Sequence, residues 1–347
     1  MKEYNNKIDV IIPAYNVPDK ILSRCLASIA MQECIDDVEV TIVDDASTEE
    51  NYKAVIKNFE PMMKINLLRM EVNGGPGVAR QYGLDHTSNG LITFVDSDDT
   101  FANAFALTIL REKLQDENIV ISSGYIVEEC CHDSKRYFST IFENDTWIFG
   151  KIFKRKFIDK NDIKFHPTSR ANEDVGFNKL CSFCLNGPQT AFSTDAVYCW
   201  HYNNNSITRS NGHSLELDSS ENGSLYGYIE NMSYVLSYAK YHGLYVYNNR
   251  MLVHDFALDC LMCIYESYVK MHNKISKKYA DEIIKYCSDF YKKHCVDMEE
   301  KFTHDLIKNR YVEFMKNEYA LFDMDCFYPQ LTFEQFLEKI KQPQNEQ

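Results

Sequence analysis

Three carboxylates crowd into four consecutive positions, Asp96-Ser97-Asp98-Asp99, directly after the apolar run Leu91-Ile92-Thr93-Phe94-Val95. Carboxylates at the carboxyl end of a buried strand offer hard oxygen ligands, and that edge of an α/β sheet is where divalent cations and phosphorylated ligands collect. A second acidic stretch, Asn172-Glu173-Asp174, lies some way downstream.

The elements that must position these groups are legible as alternating patterns. Ile8 to Ile12 forms a first strand, followed by Ile21, Leu22, Cys25, Leu26 and Ile29 at helical spacing after Pro18-Asp19. Further strands are expected at Val38–Val43, Ile65–Met70, Leu91–Val95 and Ile119–Ser122, with helical patterns between them. This order predicts βαβ units and a mostly parallel, Rossmann-like sheet flanked by helices. The first strand ends in Pro13-Ala14-Tyr15-Asn16 and the second in Asp44-Asp45-Ala46-Ser47-Thr48. The third leads through Asn73-Gly74-Gly75-Pro76-Gly77 into a helix near Arg80. All four strand ends therefore share one edge. Singly, each has an ordinary reading: an Asx turn and helix cap at Asp44-Asp45, a flexible turn at Gly74-Gly75. Together they match the needs of a nucleotide-sugar, namely an acceptor for a base N–H, close backbone approach and a cation on the diphosphate.

Composition narrows the field. The 347 residues suffice for one large and one smaller domain, and 45% apolar content supplies a core. A net charge of -14 argues against broad nucleic-acid binding. No stretch approaches the ~18 apolar residues of a membrane span, and Met1 to Asn6 carries no apolar signal region, so a cytoplasmic location is expected, with contact at the inner membrane face left open. The twelve cysteines are then expected to be mostly thiols. Cys181/Cys184 and Cys260/Cys263 have zinc-like spacing, but their apolar helical contexts favour core thiols.

The set Val10-Ile11-Ile12-Pro13-Ala14-Tyr15-Asn16, Ile42-Val43-Asp44-Asp45-Ala46-Ser47, Asn73-Gly74-Gly75-Pro76-Gly77-Val78-Ala79-Arg80, Phe94-Val95-Asp96-Ser97-Asp98-Asp99 and Asn172-Glu173-Asp174, in this order, resembles glycosyltransferase family 2 over roughly residues 7 to 210. The resemblance implies a GT-A fold and an inverting, metal-dependent hexosyl- or N-acetylhexosaminyltransferase using a UDP-sugar. By the same resemblance Pro13, Ala14, Tyr15 and Asn16 line the nucleobase side, with Asp45 accepting from the base imide and Gly75 and Arg80 on the donor pocket. Asp96 and Ser97 fall at the ribose side and Asp99 near the sugar. Asp98 is the implied ligand of Mn²⁺ or Mg²⁺, with His201 a second candidate. Asp174 is the expected base, Glu173 the alternative, and Trp147 a candidate wall of the sugar or acceptor pocket. The implied acceptor is a glycan, lipid-linked or protein hydroxyl, with a cell-surface glycan precursor the usual setting.

The Gln-x-x-Arg-Trp motif and membrane helices of processive members are absent from the sequence, which favours single-sugar transfer or short-range polymerisation without extrusion. Two other readings stand beside this one. Asp96 to Thr100 also fits the D-x-D-x-T pattern of haloacid-dehalogenase-type phosphatases, with Asp96 as nucleophile, although that motif opens its domain and here three strands precede it. A non-catalytic sugar-nucleotide-binding scaffold would retain the fold without the chemistry. Asp44-Asp45 also resembles a response-regulator acceptor site, against which length and the later motifs argue.

Beyond about residue 215 the pattern becomes helical, giving an expected division into 1–215 and 216–347. Leu225, Ile229, Met232, Leu236 and Ala239 define one helix; others are expected near Met251–Tyr268, Tyr279–Tyr291 and Asp305–Met315. Thr332 and Gln335 form a capping-box pattern opening a last amphipathic helix with Phe333, Phe336, Leu337 and Ile340. Packing of these helices against one another is the default expectation for their tyrosine-rich faces, with acceptor binding, homo-oligomerisation or membrane contact the functional alternatives.

Overall fold

A computed structural model describes residues 4–49, 52–132, 135–141, 146–203, 224–244, 250–272, 277–296 and 333–342. The chain divides into two compact units, Met1–Asn211 and Gly212–Gln347.

In the first unit, strands β1 (Ile8–Ala14), β2 (Val38–Asp44), β3 (Lys64–Arg69) and β4 (Leu91–Phe94) are parallel in the order β3-β2-β1-β4. Their register explains the shared edge. Ile8 stands opposite both Val38 and Leu91, so Ala14, Asp44 and the residues after Phe94 emerge side by side. All seven residues of β1 are buried, as expected of a strand covered on both faces. On one side, Ile8, Val10 and Ile12 join a core with Leu22, Cys25, Leu26 and Ile29 of α1 (Asp19–Ala30) and with Tyr52, Val55 and Ile56 of α2 (Tyr52–Phe59). Helix α3 (Pro76–Asp85) packs against β1 and β2 and delivers Arg80 to the carboxyl edge.

Beyond β4 the sheet becomes mixed. Strand β5 (Thr100–Phe101) runs antiparallel to β9 (Thr190–Trp200), while β6 (Ile121–His132) is parallel to β9 and antiparallel to both β7 (Lys135–Ile141) and β8 (Lys151–Lys154). Strand β8 in turn lies antiparallel to β4. The parallel expectation thus describes the first four strands, and the strand expected at Ile119–Ser122 is the start of the longer β6. Helix α4 (Ala106–Lys113) packs on β6, β8 and β9, α5 (Arg155–Lys160) follows β8, and α6 (Glu173–Cys184) starts at the second acidic stretch.

The second unit, as described, is helical: α7 (Ser224–Tyr241), α8 (Arg250–His272), α9 (Lys277–His294) and α10 (Phe333–Lys341). The apolar stripe Leu225, Ile229, Met232, Leu236 and Ala239 is buried along α7. Phe333 and Phe336 of α10 pack against Tyr265 of α8. The expected helix 305–315 and the capping residue Thr332 lie outside the described residues. Both C-x-x-C pairs fall on helices, α6 and α8, with Cys181 and Cys260 buried. Among the described residues no three His, Cys, Asp or Glu side chains form a metal-holding group.

Candidate active site

The site begins at the ends of β1 and β2. Pro13 and Ala14 are buried within β1, so it is the Tyr15 ring, 49% exposed, that faces outward at the strand end. Asn16 is occupied structurally: its amide carbonyl accepts from the Thr48 backbone N–H at 2.9 Å, and its own N–H donates to Ser47 Oγ at 2.9 Å. Asp44 is the capping residue that the ordinary reading describes, bonded to the Ser47 N–H (2.9 Å), Tyr52 hydroxyl (2.7 Å) and Arg69 guanidinium (2.6 Å).

Asp45 behaves differently. Its Oδ1 accepts from the Gly74 N–H at 2.7 Å and its Oδ2 from the Gly75 N–H at 2.8 Å. Burial raises its carboxyl pKa, opposed by these two amides. The side chain expected to meet a base imide therefore fastens the glycine loop, and the loop rather than an open carboxylate forms that wall. Gly75, at φ +86°, adopts a conformation that L side chains rarely take. Arg170 closes over the same loop, donating to Asn73 Oδ1 at 3.0 Å and to the Asn73 carbonyl at 2.8 Å.

Arg80 is the hinge of the site. It is 4% exposed, donating from Nη2 to Asp96 Oδ1 (2.5 Å) and from Nη1 to Glu173 Oε1 (2.6 Å), while its Nε has no hydrogen-bond partner. One guanidinium thus joins the acidic turn after β4 to the head of α6. Gly77 permits this approach, because a Cβ there would come within 2.8 Å of Glu173 Cβ and Cγ. Arg80 lies beneath the pocket wall and not on its surface. Glu173 is 7% exposed and ion-paired through Oε1 to Arg80. Asp174, next along α6, is half-buried and accepts only a short-range bond from the Val175 N–H at 2.8 Å. Burial and the neighbouring Glu173 push its pKa up to about 7 despite Arg80 nearby.

Within the acidic turn the carboxylates divide by orientation. Asp96, Ser97 and Asp98 are half-buried, and Asp98 Oδ2 accepts from Asn203 Nδ2 at 3.0 Å. Burial, then the Asp96 charge, raise the Asp98 pKa, so the crowd of carboxylates favours a counter-cation. The half-buried carboxylates of Asp96 and Asp98 are hard oxygen donors of the type that suits Mn²⁺ or Mg²⁺. Asp99, expected at the sugar, points inward: it is 1% exposed, accepting from the Tyr198 hydroxyl (2.8 Å) and the His201 N–H (2.8 Å). His201, the second candidate metal ligand, also turns away from Asp98. Its Nε2 meets Thr100 Oγ1 at 2.9 Å and its Nδ1 meets Glu129 Oε2 at 3.3 Å, which leaves no ring nitrogen for a cation in this arrangement. Trp147 stacks on Phe149 and tilts against Trp200, half-buried in an aromatic group that continues to Tyr198. Tyr198, Asn203 and Arg170 carry much of this geometry. Arg170 adjoins the second acidic motif, whereas Tyr198 and Asn203 have no local pattern that marks them.

The family model of glycosyl transferase family 2 matches residues 9–171, the span from Asp9 in β1 to Ala171. An N-acetylglucosaminyltransferase of Bradyrhizobium elkanii is 31% identical over 142 residues, 41% of this chain and 71% of that protein. The chain belongs to glycosyltransferase family 2. Another relative, the poly(ribitol-phosphate) beta-N-acetylglucosaminyltransferase TarP of Staphylococcus aureus, is 28% identical over 55% of this chain and 62% of its own length. Against four curated relatives, TarP among them, the chain spans only 32–65% of their lengths. The crystal structure of residues 1–349 of S. aureus TarS, solved with UDP-GlcNAc, superposes with a TM-score of 0.64 at 19% identity. The match covers 83% of this chain and 81% of the other, and it shows the shared GT-A fold. The family match takes in the glycine loop, Arg80 and the acidic turn and stops just short of Glu173 and Asp174.

Proposed function

We propose that this chain is an inverting, metal-dependent glycosyltransferase that moves a hexosyl or N-acetylhexosaminyl group from a UDP-sugar to an acceptor hydroxyl. The observation that carries the reading is the buried Arg80, which bonds Asp96 on the donor side and Glu173 on the acceptor side. It sets a base candidate of near-neutral pKa, Asp174, beside the strand end that would face the leaving diphosphate. In the reaction the acceptor oxygen attacks the anomeric carbon from the face opposite the diphosphate. The bond from that carbon to the diphosphate oxygen breaks, and its electron pair leaves with UDP. The acceptor proton passes to an oxygen of Asp174. Asp98 would hold Mn²⁺ or Mg²⁺, which when bound supplies charge neutralisation at the diphosphate. Tyr15 offers an exposed ring for the base, with the Gly74-Gly75 loop fixed by Asp45 as the neighbouring wall.

TarP's name and the UDP-GlcNAc of the TarS crystal support a UDP-N-acetylhexosamine donor, and the poly(ribitol-phosphate) in TarP's name supports a polymeric, hydroxyl-bearing acceptor. No helix among the described residues is long and apolar enough to cross a membrane; peripheral contact with an inner membrane face, like self-association through the helical unit, is part of the proposal. The phosphatase alternative needs a free Asp96 nucleophile, and this carboxylate is ion-paired to Arg80. In a thermal-shift assay, UDP with Mn²⁺ is expected to stabilise the chain, and Asp98→Ala to lose that stabilisation. Absence of any UDP response in the wild-type chain would overturn the reading.

A further inference from the structure

The acidic turn is held from behind by one strand. Residues at and just after the end of β9 contact three of its four positions. The Tyr198 hydroxyl donates to Asp99 Oδ2 at 2.8 Å and accepts from the Asp96 N–H at 3.2 Å. The His201 N–H donates to Asp99 Oδ1, and Asn203 Nδ2 donates to Asp98 Oδ2. Tyr198 is fully buried and its ring stacks on Phe149 with centroids 4.7 Å apart and planes 15° from parallel. Phe149 continues the stack to Trp147, and Trp147 touches Trp200 at 5.1 Å.

A buried tyrosine in a core needs one partner for its hydroxyl. Here that hydroxyl has two, and they flank Asp98: the backbone N–H that opens the turn and the carboxylate that closes it. The turn is already tight, with the Asp99 N–H bonded to the Asp96 carbonyl at 3.0 Å. Pinning both ends fixes the peptide path through Ser97 and Asp98, while the aromatic stack fixes the phenol. We infer that Tyr198 is a positioning residue for the donor site, its hydroxyl setting the orientation of Asp98 toward the cation and diphosphate without touching either. The inference rests on the assignment of Asp98 as cation ligand made above.

Tyr198→Phe tests it, because the variant removes the hydroxyl and keeps the ring in its stack. The measurement is the Mn²⁺ concentration that gives half of the UDP-induced thermal shift. Residues that orient a metal ligand are worth about 10- to 100-fold in metal affinity, so the midpoint is expected to rise by at least about tenfold. Intrinsic fluorescence of the ligand-free variant should match wild type, because both tryptophans of the chain sit in this stack and report its integrity. Tyr125→Phe, at a β6 tyrosine whose ring is tilted against Phe192, is expected to leave the midpoint unchanged. A Tyr198→Phe protein with the wild-type Mn²⁺ midpoint, even if less heat-stable, would show that the hydroxyl is only structural and would overturn the inference. If that variant does not fold, Asp99→Asn, which removes the anionic acceptor of the phenol, serves instead with the same expected rise; an unchanged midpoint there is equally contradictory. A wild-type chain with no metal-dependent UDP response would defeat the proposed function itself, a separate failure.

Discussion

Two buried arginines at opposite ends of the parallel strands do different work with the same chemistry. Arg155, at the start of α5, is 2% exposed and meets Asp9 near the amino end of β1. Its Nε donates to the Asn89 carbonyl, Nη1 to the Leu84 carbonyl, and Nη2 to Asp9 Oδ2 and Thr87 Oγ1. Asp9 is closed in turn by the Asn89 N–H and side-chain amide. No buried Arg155 nitrogen is without a hydrogen-bond partner among the described residues. Arg80, at the carboxyl end, bonds two carboxylates from two different elements and leaves its Nε unpaired. The closed network ties α5 to the sheet; the open one joins half-buried Asp96 after β4 to buried Glu173 at the head of α6. Buried ion pairs are weak evidence for stability, and an incompletely satisfied one needs another reason to persist. The proposed donor and base site around Arg80 supplies such a reason.

This contrast can be broken most sharply at Asp174. Asp174→Asn should retain the UDP-induced thermal shift while turnover falls by about 10²- to 10⁴-fold, the usual contribution of a general base. Equal loss of binding and turnover would mean that α6 is structural, like α5. At the other end, Arg155→Met leaves Asp9 buried without its cation and should cost about 3–5 kcal/mol of stability by denaturant unfolding. Turnover per folded molecule should stay at the wild-type level; a matching fall would erase the distinction between the two networks.

The smallest expected effect is in the pH profile. Asp174 must be ionised to accept a proton, so kcat/KM should rise with pH and level off above about 7. Arg80 opposes the rise of that pKa, so Arg80→Met should move the rising limb to higher pH, whereas Arg155→Met should leave it in place. A limb that moves equally in both variants, or in neither, would detach Arg80 from the base.

Much of this contrast was legible in the sequence. The apolar runs of β1, β2 and β4, the motifs at their ends and the helical stripe on α7 follow from local periodicity, which burial then enforces, whereas most positions of β3 are exposed and its place is set by pairing with β2. Strand β7 carries no such signal: Lys135 to Thr140 are exposed, so nothing alternates. Strands β5 and β8, of two and four residues, are set by their pairing with β9, β4 and β6. In the site, residue type was readable and direction was not. Asp98 and Asp99 are adjacent and chemically identical, yet the one is half-buried and the other is turned into the core by Tyr198 and His201, about a hundred residues away. The same long-range contacts turn His201 toward Glu129 and Thr100. Glu173 and Asp174 are separated in role only by which of them meets Arg80, a pairing across 93 positions.

Release of UDP from a panel of UDP-sugars, followed for the wild-type chain and Asp174→Asn with Mn²⁺ present, tests the central claim most directly. The expected result is measurable release from at least one donor, abolished by chelating the divalent cation and reduced at least about 100-fold in Asp174→Asn. No release from any donor, or an Asp174→Asn variant as fast as wild type, would contradict it.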